Sequence, residues 1–234
     1  IQLALGEGCM STAWVYGVVG LHPWLMGLFD DRAGQELWGK DNTVLVCSSL
    51  MPTGATVRTQ GGFRLSGRWK FSSGCEHCGW AYLGGTPPED GRPGDRSIFL
   101  VPRADFEIED TWRVSGLKAT GSHDILVKDA FVPDYRRLRW IDNFNGVGPG
   151  QAVNQSPLYR WVFGQIFFRG VSTGALGALQ GMLDAFLRYA GARVARGRRP
   201  RGATRRRGGR GGDRRDEDDS VPQFAQSRGL RGTR

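Results

Sequence analysis

The hydrophobic pattern of this chain changes period twice. Across residues 2–29 apolar side chains recur at helical spacing. Met10, Trp14, Val18 and Leu21 share one face, and Trp24, Leu25, Leu28 and Phe29 form the next, which predicts helix, turn, helix. His22-Pro23 marks the break, since proline is tolerated in the first turn of a new helix. Asp41-Asn42 closes this helical part. From residue 43 to 140 the period falls to two. Runs at 43–50, 63–66, 68–73, 79–83, 97–101, 106–109 and 124–131 are short, β-branched or aromatic, and separated by Gly and Pro. They predict the strands of a sandwich or barrel. Residues 86–96, TPPEDGRPGDR, read as a solvated loop, and 141–157 as a connection. Helical spacing returns over 158–192. There Val171, Ala175, Leu179, Met182, Phe186 and Ala190 share a face that Leu176, Leu183 and Leu187 widen. So broad a stripe belongs inside a bundle or at a subunit interface. Residues 197–215 hold no apolar side chain larger than alanine, so the tail from 197 to 234 is expected to be disordered. The organisation expected is a helical part over 1–42, a β part over 43–157, the start of a second helical part over 158–196, and the tail.

Charge alters this picture in one respect. The net charge is +9, but residues 193–234 carry 14 Arg against 5 acidic residues, and residues 1–192 carry 18 basic against 18 acidic. The body is neutral and offers no basic face for nucleic acid. A nucleic-acid-binding reading rests on the tail alone, and no nucleic-acid partner is expected. The tail's Arg, Gly and Pro content also matches an out-of-frame reading of GC-rich coding sequence. Eight tryptophans and 39% hydrophobic residues suit a globular core. No apolar run reaches the length of a membrane span, so no membrane partner is expected. Residue 1 is Ile, and the chain reads as a stretch that begins inside a domain.

The candidate chemistry sits in residues 61–80, GGFRLSGRWKFSSGCEHCGW. Phe63 and Leu65, then Trp69 and Phe71, alternate with polar residues as two strands about a turn at Gly67. Ser72-Ser73-Gly74 then places two hydroxyls and a glycine at the end of an aromatic strand. There a flat ligand can approach the backbone and hydrogen-bond to the hydroxyls; an ordinary Ser-Gly sheet corner is the plainer reading. Cys75 and Cys78 have the spacing of a redox pair or half a zinc site. Cys9 and Cys47 are isolated and supply no second ligand pair. The cysteines are expected to be reduced residues packed behind the strand, with no metal site, in a cytoplasmic protein. The three histidines, His22, His77 and His123, are the side chains best poised for proton transfer.

WKFSSGCEHC, together with SGLKATGSHD at residues 115–124 and the following strand ending in Val132-Pro133, resembles the acyl-CoA dehydrogenase fold. More narrowly, it is similar to the oxygenase components of two-component flavin-dependent monooxygenases. That branch hydroxylates phenols, among them a phenolic secosteroid and 4-hydroxyphenylacetate. The resemblance covers about residues 1–195. It implies an α+β protein with an N-terminal helical part, a central β-barrel or sandwich and a C-terminal helical bundle, here truncated. It implies reduced flavin (FMN or FAD) and O2, which form a C4a-hydroperoxide that converts a phenol to a catechol. It further implies a separate flavin reductase, a small aromatic substrate and a homotetramer.

The resemblance also assigns residues. Ser72 or Ser73, with Gly74, would face the flavin; the dehydrogenase branch favours Ser72 and the monooxygenase branch Ser73. His22 would be the pocket base that orients or deprotonates the phenol. Ser48, with Ser49, Trp80, Trp112 and Phe71 would line the pocket, and His123 would sit beside it. Arg169 would reach a neighbouring subunit's flavin. A second catalytic histidine is implied late in the C-terminal bundle, and no histidine follows His123, so the stretch is expected to lack part of its site and to be inactive alone. The rival within the fold is an acyl-CoA dehydrogenase, which needs a carboxylate base. Asp184 is the only acid in residues 143–192.

Overall fold

The computed structural model describes residues 1–88 and 95–197, with side chains described to residue 193. The chain divides into units 1–192 and 193–234. Of the second unit only the end of the last helix is described, so the expectation of a disordered tail falls, from residue 198 onward, outside the described residues.

Three helices open the chain: α1 (Gln2–Gly8), α2 (Met10–Met26) and α3 (Asp31–Trp38). The helix break expected at His22-Pro23 is not there. It lies at Cys9, whose extended backbone (φ −158°, ψ 111°) separates α1 from α2, while Pro23 sits inside α2. Proline forfeits one bond to the carbonyl four residues back. Close to the helix end that loss does not stop the helix, and three more residues follow before Gly27. The consequence is functional: His22 is carried on a continuous helix and aimed into the protein.

Eight strands form two four-stranded sheets among the described residues. One has the order β1 (Val46–Ser49), β4 (Trp80–Gly85), β5 (Ser97–Pro102), β8 (Arg137–Arg139). The other has the order β2 (Ala55–Thr59), β3 (Gly62–Ser72), β7 (His123–Pro133), β6 (Glu107–Glu109). All pairs are antiparallel except β1 with β4. Successive side chains of a strand point to opposite faces, and β4 and β5 use both. Ala81, Leu83, Phe99 and Val101 join Phe63, Leu65, Trp69, Ile125 and Val127 in a core between the sheets. Tyr82, Ile98 and Leu100 face the other way and pack with Trp24, Leu25, Leu28 and Phe29 of the helical layer. That double burial explains the unbroken apolar run SIFLV at 97–101, the mark of a strand covered on both sides.

The turn expected at Gly67 is also absent. β3 runs through it as one 11-residue strand with a register shift against β7 between Leu65 and Gly67. A glycine between two alternating runs fits a bulge as well as a turn, and here the ladder with β7 is long enough to hold the strand together. A second shift falls between Trp69 and Ser72, where the chemistry lies.

After α4 (Trp140–Asn145), the long helix α5 (Phe163–Gly197) closes the described chain. It docks by its small residues rather than its large ones. Gly170, Gly174, Gly177 and Gly181 lie against α1 and α2, so closely that a Cβ on Gly177 would stand 2.1 Å from the Leu3 carbonyl oxygen. Gln2 Nε2 donates to both Ala13 O and Gly170 O across this seam. The broad apolar stripe faces outward instead: Leu176, Leu179, Met182, Leu183, Phe186 and Leu187 are all exposed. No described helix is long and apolar enough to cross a membrane.

Candidate active site

A cavity of about 430 Å³ opens where the ends of β1 and β3 meet α2, α4 and the start of α5. Its walls are aromatic and aliphatic, including Trp14, Val18, Trp140, Phe163 and Phe167, with Lys70 and Arg96 also on its boundary. Three hydroxyls interrupt this apolar lining: Ser48, Ser49 and Ser73. Ser49 Oγ is spent on Lys70 O at 2.6 Å, which ties β1 to β3. The other two belong to networks.

Ser48 leads back to His22. The imidazole is buried in α2, with Nδ1 against Val46 O and Nε2 3.0 Å from Ser48 Oγ. A carbonyl can only accept, so Nδ1 carries the hydrogen and Nε2 is the acceptor of the Ser48 hydroxyl. Tyr82 stands edge-on to the ring at 5.2 Å, and its hydroxyl donates to His22 O. Burial pushes the His22 pKa down to about 4, opposed in part by the Val46 carbonyl. His22 is therefore neutral near pH 7, and it meets the cavity through Ser48 rather than directly.

Ser73 sits at the end of β3, just past the second register shift. Its Oγ accepts from Trp14 Nε1 at 3.0 Å and lies 2.8 Å from Ser122 Oγ, which is 2.7 Å from Thr120 Oγ1. The shift that brings Ser73 here also strains its neighbour. Phe71 has φ 63°, in the left-handed region that a bulky residue rarely occupies. The residue is 67% exposed, and its ring borders the cavity and meets Trp112 edge-on at 6.1 Å. Such backbone strain costs on the order of 1–3 kcal/mol and persists where the surroundings impose it. Ser72 faces the interior; it is fully buried beside the Cys47 thiol, and it is not among the lining residues.

Beyond Ser73 lies a second, more polar cavity of about 510 Å³, bounded by α2, Gly74, Glu76, Trp112, Thr120 and His123. Gly74 turns the chain there in the left-handed conformation (φ 70°) and donates to Thr120 O at 2.8 Å. His123 is held between two carboxylates, with Nδ1 3.2 Å from Asp110 and Nε2 3.7 Å from Glu76.

The structure thus gathers His22, Ser48 and Ser73 about one cavity, and Gly74, Trp112 and His123 about a second. Three residues singled out from sequence stand apart from both. Ser72 is in the core, and Trp80 carries the Arg136 guanidinium 4.9 Å above its ring and packs with the helical layer. Arg169 is exposed on α5. Trp14, Thr120 and Ser122 were not legible as site residues: a tryptophan on an amphipathic helix and hydroxyls in a glycine-flanked turn carry no local signal of chemistry. The cysteines are free. Cys47, Cys75 and Cys78 are buried with their thiols directed at the carbonyls of Trp80, Gly121 and Gly74. Burial pushes the Cys75 thiol up to about 12, and the neighbouring Cys78 thiol together with burial holds Cys47 well above its ordinary value, so these two stay protonated. No metal-holding cluster occurs among the described residues.

A flat, apolar ring bearing hydrogen-bonding edge atoms fits the first cavity. Ser73 Oγ retains hydrogen-bonding capacity beyond Trp14 and Ser122, and the exposed Phe71 ring offers a stacking face. These two residues could hold a flat heteroaromatic cofactor, with Ser48 left for a second ligand.

This arrangement is an acyl-CoA dehydrogenase-like fold. Among solved structures, the HsaA monooxygenase of M. tuberculosis superposes with a TM-score of 0.80 at 40% identity, over 83% of this chain and 50% of that one. XiaF from Streptomyces sp., solved with FADH2 and glycerol, gives a TM-score of 0.67 at 30% identity, over 77% and 46%. In sequence, the chain is 40% identical over 190 residues to the flavin-dependent monooxygenase oxygenase subunit HsaA of Mycobacterium tuberculosis, covering 81% of this chain and 48% of the relative. It is 36% identical over 203 residues to the oxygenase component of the FADH(2)-dependent resorcinol hydroxylase of Rhizobium sp., covering 84% and 48%. No family model matches the chain. The chain belongs to the family of flavin-dependent monooxygenase oxygenase components, and it spans about half the length of the curated relatives it matches.

Proposed function

We propose that this chain supplies the flavin-facing and phenol-facing half of an oxygenase component that hydroxylates a phenol to a catechol. The observation that carries this reading is the Ser48–His22 pair, which opens on the same apolar-walled cavity as Ser73. Ser48 donates its hydrogen to His22 Nε2, leaving oxygen lone pairs toward the cavity. Those lone pairs suit a hydroxyl donor such as a phenol. Moving the phenol proton fully onto His22 is unfavourable: a phenol titrates near ~10 and His22 near about 4, a gap on the order of 8 kcal/mol. The pair therefore orients the phenol and draws on its proton without removing it, which enriches the ring for attack. The surrounding aromatic wall excludes water, which strengthens that hydrogen bond.

Bound reduced flavin, FMN or FAD, would supply the activated oxygen, delivered by a separate flavin reductase. Relatives named for a resorcinol and for p-hydroxyphenylacetate support a phenolic substrate, and the resemblance of WKFSSGCEHC and SGLKATGSHD to the hydroxylases of a phenolic secosteroid points to a steroid-derived one. Trp112 and His123, one cavity away, are assigned to the outer boundary of the site. The outward stripe of α5 supports packing within a C-terminal helical bundle and a homotetramer, in which the exposed Arg169 would reach a neighbour's flavin. A cytoplasmic location fits the buried free thiols.

The test uses ¹⁵N-histidine-labelled chain titrated with resorcinol as the probe. The His22 Nε2 resonance is expected to move saturably in the wild type and not in Ser48→Ala. A resonance unmoved at saturating resorcinol in the wild type would remove the phenol assignment.

A further inference from the structure

The hydroxyls of Ser73, Ser122 and Thr120 form a chain whose direction can be worked out from its far end. Thr120 Oγ1 lies 2.9 Å from Leu117 O. A carbonyl only accepts, and two oxygens at that distance without a hydrogen between them repel, so the Thr120 hydrogen points at Leu117. Leu117 is itself held in the left-handed region (φ 54°), and the strained turn sets this carbonyl where it also receives Trp112 Nε1 at 2.9 Å. With its hydrogen committed, Thr120 can only accept across the 2.7 Å contact to Ser122. Ser122 then has no hydrogen left for Ser73, so Ser73 is the donor across their 2.8 Å contact. Each hydroxyl has one hydrogen and two lone pairs. Ser73 gives its hydrogen to Ser122 and fills one lone pair with Trp14 Nε1–H. What remains facing the cavity is one lone pair and no hydrogen. The three residues are buried, at 6%, 4% and 2% exposure for Ser73, Ser122 and Thr120, so the hydroxyls meet one another rather than bulk solvent.

We infer that Thr120 and Ser122 are positioning residues that fix Ser73 as a hydrogen-bond acceptor toward the cavity, and thereby select a flavin that carries hydrogen on N5 over one that does not. This rests on the flavin reading above, in which the cofactor is reduced, and adds the two residues that orient the Ser73 hydroxyl toward it. The reduced ring presents N5–H, a donor that meets the free lone pair. The oxidised ring presents a bare N5 lone pair, which meets another lone pair. To bind it, Ser73 must turn its hydrogen into the cavity, which strands the Ser122 acceptor in a buried site. No covalent step is involved; the chain acts by orientation alone. It makes the site favour the form of the cofactor that reacts with oxygen and release the spent one.

The test compares dissociation constants of the intact chain for FMN and for dithionite-reduced FMN under anaerobic conditions, using tryptophan fluorescence. The wild type is expected to bind the reduced form at least tenfold more tightly. Thr120→Val, which keeps the shape and loses the hydroxyl, frees the Ser122 hydrogen, and the preference should fall at least fivefold. Ser122→Ala frees the Ser73 hydrogen directly and should do the same. Thr120→Ser restores the hydroxyl and should keep the wild-type ratio within twofold, an outcome that a merely structural role for Thr120 would not produce. If the wild type binds flavin and the ratio is unchanged in both Thr120→Val and Ser122→Ala, the inference is overturned and the flavin site stands. If the wild type binds neither form, the flavin reading falls and the inference with it.

Discussion

Replacing His22 by Asn gives a prediction whose size can be worked from the structure without any ligand. The imidazole is buried, and its pKa is held at about 4 against 6.5 when free. A histidine with a depressed folded pKa contributes stability above the unfolded value, and that stability is lost as pH falls toward the folded one. Below pH 6.5 the unfolded chain takes a proton that the folded chain refuses. The loss reaches about 2 kcal/mol at pH 5 and about 3 kcal/mol at pH 4, from ~1.4 kcal/mol per pKa unit. Asn at this position can still donate to Val46 O, but it loses the ring's packing against Tyr82 and the acceptor of Ser48. That should cost about 1–2 kcal/mol at pH 7, with no titration below it. The two stabilities should therefore cross near pH 5, the variant being the more stable below. Urea unfolding followed by tryptophan fluorescence at half-unit steps from pH 7.5 to 4 measures the difference directly. Equal slopes for wild type and variant across pH 6.5 to 4 would refute the buried, neutral histidine and the Ser48 bond that depends on it.

Other consequences are independent of that one. Phe71→Gly should leave stability within about 1 kcal/mol of wild type in urea unfolding, because relief of the left-handed strain offsets added backbone freedom and little burial is lost; a loss above 2 kcal/mol would mean the ring is structural. Gly177→Val should destabilise by about 2 kcal/mol or more, since its Cβ would meet the Leu3 carbonyl and force α5 off α1. Wild-type melting behaviour would contradict that seam. A thiol reagent at pH 8 should titrate one cysteine rapidly in the native chain, the exposed Cys9, and all four in urea; fast reaction of a second thiol would deny the burial of the other three.

Much of the fold could be read from period alone, and the misreadings share a cause. A proline at 23 and a glycine at 67 read as punctuation, yet Pro23 rides inside α2 and Gly67 inside β3. Local chemistry permits a break; tertiary contacts decide whether one occurs. β2 escaped notice because it is a sheet-edge strand in which only Thr56 is buried, so it shows no apolar alternation. The apolar stripe on α5 marked a face that must be covered, but it was the glycines that met α1 and α2. In the site, Ser72 and Ser73 were indistinguishable by type. Only the register shift after Trp69 decides which hydroxyl faces the cavity. His22 was expected to reach the pocket itself, whereas Ser48 stands between. That link joins residues from α2 and β1, and such a contact leaves no trace in linear order.

The central claim is that the cavity beside Ser73 and Phe71 receives a reduced flavin ring, with the Ser48–His22 pair facing the phenol. Crystals of the chain grown anaerobically with reduced FMN measure it most directly. The account predicts ring density stacked beside Phe71, with its N5 edge within hydrogen-bond distance of Ser73 Oγ and Ser48 left free. A ring seated in the cavity beside His123, or no flavin density at saturating concentration, would contradict it.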